Sequence, residues 1–127
     1  MKIVIIEDEV ELGHLIQNYL KRKFQNTSSS MIKTATTIKD GLHWINEIQP
    51  DWVFLDNNLP DGKGINIIED IKSVKPSIII MMSAMSNIRE EAIRRGVDYF
   101  IDKPISFVAI QTIINESGFS VNNEGTA

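Results

Sequence analysis

Apolar residues occur along the chain in two kinds of spacing, which predict five strands that alternate with five helices. Short runs that are apolar, or rich in β-branched and aromatic residues, predict strands at Ile3–Ile6, Met31–Thr36, Trp52–Leu55, Ile78–Met82 and Val97–Asp102. Between them, apolar residues at helical spacing predict three amphipathic helices, which carry Leu12, Leu15, Ile16, Tyr19, Leu20 and Phe24, then Ile38, Leu42, Ile45 and Ile48, then Ile65, Ile68 and Ile71. A fourth helix is predicted near Asn87 to Arg95, with Gly96 as its C-cap, and a fifth from about Ser106 to Glu116.

The strands are of two kinds, and the difference predicts their order in a parallel sheet. The first, third and fourth are continuous apolar runs, as expected for strands that helices cover on both faces. The second and fifth mix polar and apolar residues and therefore belong at the edges. The order 2-1-3-4-5 satisfies this pattern with right-handed crossovers. The predicted fold class is a doubly wound α/β fold of (βα)5 type, flavodoxin-like, with helices on both faces.

Polar residues follow the strands at the edge where the winding of the chain would reverse. The first strand ends at Glu7 and Asp8, the third at Asp56, the fourth at Ser83 and the fifth at Lys103. Open α/β sheets bind ligands at the carboxyl ends of their strands beside such a reversal. The topology therefore predicts that three carboxylates, a hydroxyl and an ammonium group converge.

The residue types at this edge predict phosphoryl chemistry assisted by a metal ion. Carboxylates this close repel one another unless a cation intervenes. Oxygen ligands without histidine or cysteine favour a hard ion, Mg²⁺ or Mn²⁺, over zinc. A carboxylate can act as a nucleophile and form an aspartyl phosphate. Taken singly, the residues also have structural interpretations: helix capping for Glu7, Asp8 and Glu9, a turn for Asp56, and a solvated loop for Lys103.

Composition narrows the classes of protein that the chain can represent. Its 127 residues, 43% hydrophobic and 24% charged, suit one globular domain. The absence of cysteine excludes disulfides and thiolate metal sites. A net charge of −4 with scattered basic residues argues against direct nucleic-acid binding. No apolar run is long enough for a membrane span and the acidic cluster comes too early for a signal peptide, so we expect a cytoplasmic location.

Four segments resemble the receiver domain of two-component response regulators. They are Ile3–Glu9, Pro50–Gly64, Ile79–Ala84 and Gly96–Pro104, and the resemblance extends over about Lys2 to Glu116. It implies a phosphoprotein of a phosphorelay, which signals by phosphorylation and is not an enzyme acting on an outside substrate. Such a domain catalyses only its own phosphorylation and dephosphorylation. The expected domain is residues 1–117, followed by a flexible polar tail at 118–127.

The resemblance also implies the roles of the acidic residues. Asp56 would accept the phosphoryl group as an aspartyl phosphate. Asp8 would bind Mg²⁺ directly and Glu7 through water, and Asp56 and the backbone carbonyl of Asn58 would be further ligands. Glu7 stands where the family more often has aspartate, an exchange that need not abolish metal binding.

The same resemblance implies the parts of a switch. Ser83 and Lys103 would bind the phosphoryl group, Ala84 would leave room for it, and Phe100 would be the aromatic residue that rotates inward. The peptide bond between Lys103 and Pro104 is expected to be cis. The segment from Ser83 to Gly96 is about two residues shorter than in chemotaxis-type receivers, which bears on the shape of the output face.

Partners are expected on two sides of the domain. The phosphoryl donor would be a phosphohistidine of a sensor histidine kinase or a histidine phosphotransfer protein. The face of helix four, strand five and helix five would contact an output partner or form a homodimer. On the last helix, one stripe (Phe107, Ile110 and Ile114) would pack on the sheet, whereas the apolar residues beside it (Val108, Ala109 and Ile113) would either face a partner or widen the core.

Two other functions, a pseudo-receiver and a phosphatase, are alternatives to a receiver that uses phosphorylation. A pseudo-receiver would keep the fold as a binding module that does not use phosphorylation, and the intact set of acidic residues with Ser83 and Lys103 argues against it. A phosphatase would need a general acid two residues after Asp56, where the chain has Asn58. His14 and His43 fall in helices away from the strand ends.

Overall fold

The computed structural model describes residues 1–24 and 30–117. In this part of the chain, five parallel strands form one sheet in the order β2-β1-β3-β4-β5. The strands are β1 (Lys2–Ile6), β2 (Met31–Ala35), β3 (Trp52–Asp56), β4 (Ile78–Ser83) and β5 (Tyr99–Asp102). The helices are α1 (Val10–Lys23), α2 (Ile38–Ile48), α3 (Ile68–Val74), α4 (Arg89–Arg95) and α5 (Phe107–Glu116). The predicted fold class and strand order are confirmed, and the predicted tail at 118–127 lies outside the described residues.

Helices cover both faces of the sheet, and each face has its own apolar core. On one face, alternate side chains of the strands pack against Ile45 of α2, Ile71 of α3 and Ala92 of α4. On the other face, the remaining strand residues pack against α1 and α5, including Ile16 and Ile110. Burying one such isoleucine contributes about 1.5–3 kcal/mol. Because β1, β3 and β4 are covered on both sides, their ends cannot shift independently.

The edges of two helices differ from the prediction for local reasons. Short 3₁₀ helices precede the regular helix at Gly64–Ile67, before α3, and at Ser86–Ile88, before α4. Gly96 ends α4 with a φ of 117°, as predicted. Val97 was predicted to begin β5, but its N–H donates to the carbonyl of Ala92, 3.0 Å away, so it completes the helix end.

Exposure differs between apolar residues on the same helix in α1 and α5. Leu15 belongs to the predicted buried stripe of α1 but is 55% exposed. On α5, Ile113 is buried in the core, whereas Val108 is 75% exposed. The described part of the chain therefore leaves a narrower apolar surface on α5 than the sequence alone allowed.

Candidate functional site

Glu7, Asp8 and Asp56 meet at the carboxyl edge of the sheet. Strands β1 and β3 are neighbours, and their pairing in register ends with Ile6 opposite Leu55. The next residues on each strand are therefore brought side by side. One carboxylate oxygen from each of the three acidic residues lies within 4.8 Å of the others. Glu7 and Asp56 are each 2% exposed, while Asp8 is exposed.

The ammonium group of Lys103 contacts two of these carboxylates and also that of Glu9, for which the sequence suggested only helix capping. Its Nζ lies 2.8 Å from Oε1 of Glu7, 3.3 Å from Oδ2 of Asp56 and 3.3 Å from Oε1 of Glu9. Burial by itself would lower the pKa of Lys103, but the close contact with Glu7 and the charge of Asp56 raise it above its usual value. Lys103 is therefore a fixed positive charge within the acidic cluster.

The carboxylate of Glu7 is buried, and its pKa is raised. Its Oε2 accepts a hydrogen bond of 3.0 Å from the N–H of Glu9. Its Oε1 is buried and accepts no hydrogen bond from the described residues, although Nζ of Lys103 lies 2.8 Å away as an ion-pair partner. Burial raises the pKa of Glu7 to about 7, against the lowering effects of Lys103 and of the Glu9 N–H.

A tight loop after β3 holds Asp56 in place. Oδ1 of Asp56 accepts a hydrogen bond of 3.2 Å from the N–H of Asn58. The side chain of Asn57, 4% exposed, accepts a hydrogen bond of 3.0 Å from the N–H of Ile65 and so closes the loop. A Cβ on Gly64 would collide with the backbone carbonyl oxygen of Asp56. Asn57 was missed in the sequence, where it suggested only a turn; the nearby glycine was the available signal.

Ser83 and Lys103 are joined through the backbone on the far side of Asp56. Asp56 pairs in register with Met82, so Ser83 is the next residue along β4. The N–H of Lys103 donates to the carbonyl of Ser83 at 2.9 Å. The hydroxyl of Ser83 is buried and accepts a hydrogen bond of 3.0 Å from the N–H of Met85. The peptide bond before Pro104 is cis, as expected.

Phe100 lies inward on β5, where it is 8% exposed and belongs to the core beneath α3 and α4. The guanidinium group of Arg89 lies 4.8 Å from the centre of its ring. Arg89 also forms an ion pair of 3.0 Å with Asp102, beside Lys103 in sequence. The structure shows one position of the ring, so its rotation stays a prediction. Arg89 was not singled out from the sequence, because a lone arginine on a short helix carries no distinctive pattern.

A family comparison decides what kind of domain this is. The family model described as the response regulator receiver domain matches residues 3–115. The chain belongs to this family. Among curated proteins, the domain is 29% identical over 110 residues to the transcriptional regulatory protein DpiA of Escherichia coli (strain K12), covering 84% of this chain and 47% of DpiA. It is 35% identical over 108 residues to YxdJ of Bacillus subtilis (strain 168), covering 84% of this chain and 45% of YxdJ.

Solved structures agree with this assignment at the level of the fold. The signal receiver domain of a DNA-binding response regulator from Colwellia psychrerythraea 34H superimposes with a TM-score of 0.82 at 25% identity, covering 91% of this chain and 96% of that one. The chain spans about half the length of the curated relatives it matches. Within the described residues of the receiver domain, every helix falls short of the length and apolarity that a bilayer crossing requires.

Helix capping was one structural interpretation of the acidic residues, and the contacts of Glu9 in the receiver domain bear on it. Glu9 occupies the N-cap position of α1, but in the described part of the chain its side chain accepts no capping hydrogen bond. It turns instead to Lys103. His14 and His43 lie on α1 and α2, as predicted, and the His43 ring packs 5.3 Å from that of Trp44. Helix capping therefore does not account for the Glu9 side chain.

The donor set of this receiver domain fits a hard divalent cation. Its family binds Mg²⁺ at an acidic pocket, and the cluster here supplies oxygen ligands only. Oε1 of Glu7 is a buried oxygen that accepts no hydrogen bond within residues 1–24 and 30–117, and Asp8 opens the cluster to solvent. Three carboxylates against one ammonium group leave net negative charge that a divalent cation would neutralise.

Proposed function

We propose that this receiver domain accepts a phosphoryl group on Asp56 from a phosphohistidine, in a reaction that depends on Mg²⁺ or Mn²⁺. The donor would be a sensor histidine kinase or a histidine phosphotransfer protein in the cytoplasm. The observation that carries the proposal is the convergence of three carboxylates within 4.8 Å, with Lys103 in contact with two of them. Acceptance of charge on a buried carboxylate requires such compensation.

In the proposed reaction, a carboxylate oxygen of Asp56 attacks the phosphorus atom. The new O–P bond forms as the P–N bond breaks, and the histidine nitrogen keeps the electron pair of that bond and takes a proton. Lys103 supplies positive charge to a phosphoryl oxygen, and the hydroxyl of Ser83 can donate to another. The carboxylates of Asp8, Glu7 and Asp56 and the backbone carbonyl of Asn58 would hold the cation, which supplies charge neutralisation when bound.

The proposed output is a change in the face formed by α4, β5 and α5. A phosphoryl group adds negative charge and strong acceptors at Asp56, which would draw Ser83 and Lys103 toward it. Lys103 directly follows β5 and Phe100 lies on it, so the strand connects the site to this face. A cleft of about 360 Å³ opens there, with the exposed Ile93 in its lining, and Val108 is exposed on α5. We propose that this face binds an output partner or a second copy of the domain.

Incubation with acetyl phosphate and Mg²⁺, followed by intact mass measurement, tests the acceptor assignment. We expect one phosphoryl adduct on the wild-type protein and none on Asp56→Ala. The adduct should disappear when the metal is chelated. An adduct that survives the Asp56 substitution would refute the site.

Calorimetry with Mg²⁺ separates the proposal from its rival. A receiver domain that uses phosphorylation should bind Mg²⁺, and Asp56→Asn should weaken that binding. If neither form binds the ion, the domain is a pseudo-receiver that acts as a protein-binding module. Turnover of an external phosphomonoester would instead point to a phosphatase, whereas the proposal expects only self-phosphorylation and self-dephosphorylation.

A further inference from the structure

The loop that follows Asp56 is fastened to the N-terminal end of α2. Within the loop, Asn58–Leu59 pairs with Gly62–Lys63 as a short antiparallel hairpin. The N–H of Gly64 donates to the carbonyl of Asn57 at 2.9 Å, which closes the base. The hairpin therefore fixes the backbone of Asn58 relative to its own base, but its tip needs an external anchor.

Asp61 at the tip provides that anchor. Its Oδ1 accepts a hydrogen bond of 2.8 Å from the N–H of Ile38, and its Oδ2 accepts one of 3.0 Å from the N–H of Lys39. These donors open α2, where N–H groups lack partners within the helix. Thr37 is the N-cap residue of α2, and its Oγ1 accepts a hydrogen bond of 3.1 Å from the next donor, the N–H of Asp40. Helix α2 therefore begins on a cap shared between Thr37 and a residue of the loop.

Charge and packing make this contact specific. The two backbone hydrogen bonds, first that from Ile38, lower the pKa of Asp61, so it stays ionised at the positive end of the helix. The tip also lies close to α2 sterically, since a Cβ on Gly62 would lie 3.0 Å from Cδ1 of Ile38. Leu59, on the same hairpin, is 8% exposed and belongs to the core beneath α2 and α3.

We propose that Asp61 is a positioning residue for the cation site. By pinning the hairpin to α2, it holds the backbone of Asn58 at the place where that backbone meets the carboxylate of Asp56. Mg²⁺ demands nearly ideal octahedral geometry, so a carbonyl ligand on a loosened loop binds it less well. This inference rests on the proposed function, because it assumes that the cluster holds Mg²⁺. It adds a residue that touches neither the cation nor the phosphoryl group.

Calorimetric titration with Mg²⁺ alone tests the inference on three variants of the whole chain. Asp61→Ala removes both acceptors and should raise the dissociation constant about 10- to 100-fold, the range typical of residues that orient metal ligands. Asp61→Asn keeps one acceptor oxygen and should fall between Asp61→Ala and wild type. Asp40→Asn is the matched control, since it removes a charge from the same turn of α2 without touching the hairpin; its dissociation constant should change by less than about twofold.

A second measurement separates positioning from a loss of helix stability. In wild type, adding Mg²⁺ should shift the amide signals of Ile38 and Lys39 in a nuclear magnetic resonance spectrum, because the hairpin connects them to the site. In Asp61→Ala these shifts should be lost. Wild-type Mg²⁺ affinity in Asp61→Ala would overturn the inference alone and leave Asp61 a helix cap. A wild-type protein that binds no Mg²⁺ would overturn the proposed function together with the inference.

Discussion

The ammonium group of Lys103 lies closer to Glu7 than to the proposed acceptor Asp56, at 2.8 Å against 3.3 Å. The lysine is thus shared between a buried carboxylate that holds it and the carboxylate that would receive the phosphoryl group. A phosphoryl group on Asp56 would offer Lys103 a stronger partner than Glu7. The strength of the Glu7 contact therefore bears on both the stability of the domain and the readiness of Lys103 to move.

Removing the lysine tests its proposed part in the reaction. Lys103→Ala should slow phosphorylation by acetyl phosphate by about 10²- to 10³-fold, the usual effect of losing one preorganised charge or donor. Intact mass measured over time gives the rate. Lys75→Ala is the control, since Lys75 pairs with Asp51 at the opposite end of the sheet at 2.7 Å. A Lys103→Ala rate within a few fold of wild type would show that Lys103 does not assist transfer.

The raised pKa of Glu7 predicts a pH dependence of stability without Mg²⁺. Its pKa is about 7 in the folded state against 4.5 as the ordinary value, so between these values the folded state binds the extra proton. The stabilisation is complete below pH 4.5 and is lost as the pH rises through 7, by at most about 1.4 kcal/mol per pH unit. Glu7→Gln should remove this contribution.

The measurement for Glu7 is urea unfolding at several pH values between 4.5 and 8 in a chelator. The quantity to compare is the difference in free energy of unfolding between wild type and Glu7→Gln, because other titrating groups are common to both. This difference should shift against the wild type as the pH rises. A difference that stays constant with pH would show that Glu7 titrates near its ordinary value.

The loop after Asp56 should not tolerate a side chain at Gly64. A Cβ there would meet the carbonyl oxygen of Asp56 and lie 3.0 Å from Cγ of Leu55. Gly64→Ala should therefore lower the free energy of unfolding by about 1–3 kcal/mol and reduce Mg²⁺ affinity. Gly13→Ala is the matched control inside α1, where the new Cβ would meet no other described residue within 4 Å beyond its chain neighbours and the helix's own backbone. Gly13→Ala should be neutral or stabilise the protein by up to about 1 kcal/mol. Thermal melting of both variants measures the difference in stability.

The exposed apolar residue of α5 tests the proposed homodimer. Val108→Lys places a charge on a side chain that is 75% exposed, so it should not change stability by more than about 0.5 kcal/mol. It should weaken self-association of the phosphorylated protein at least tenfold in sedimentation experiments. Val10→Lys changes a residue of α1 that is 54% exposed and should leave association unchanged. Equal association of all three proteins would exclude Val108 from a dimer interface.

The pattern of apolar residues was enough to predict the sheet and the location of the site. Runs such as Trp52–Leu55 indicate strands covered on both faces, and such strands must be central in a parallel sheet. Once the order is known, the residues after β1 and β3 must be neighbours, because parallel strands end at the same edge. Burial and topology are thus properties that a local pattern can carry.

The contacts that shape the site were decided only by the tertiary structure. Local periodicity did not predict that Lys103 would lie nearer Glu7 than Asp56, or that Asp61 would cap a helix 22 and 23 residues earlier in the chain. It also could not divide the apolar face of α5 into a buried Ile113 and an exposed Val108. Such contacts depend on how two distant segments pack against each other, to within an ångström, and neither segment contains that information by itself.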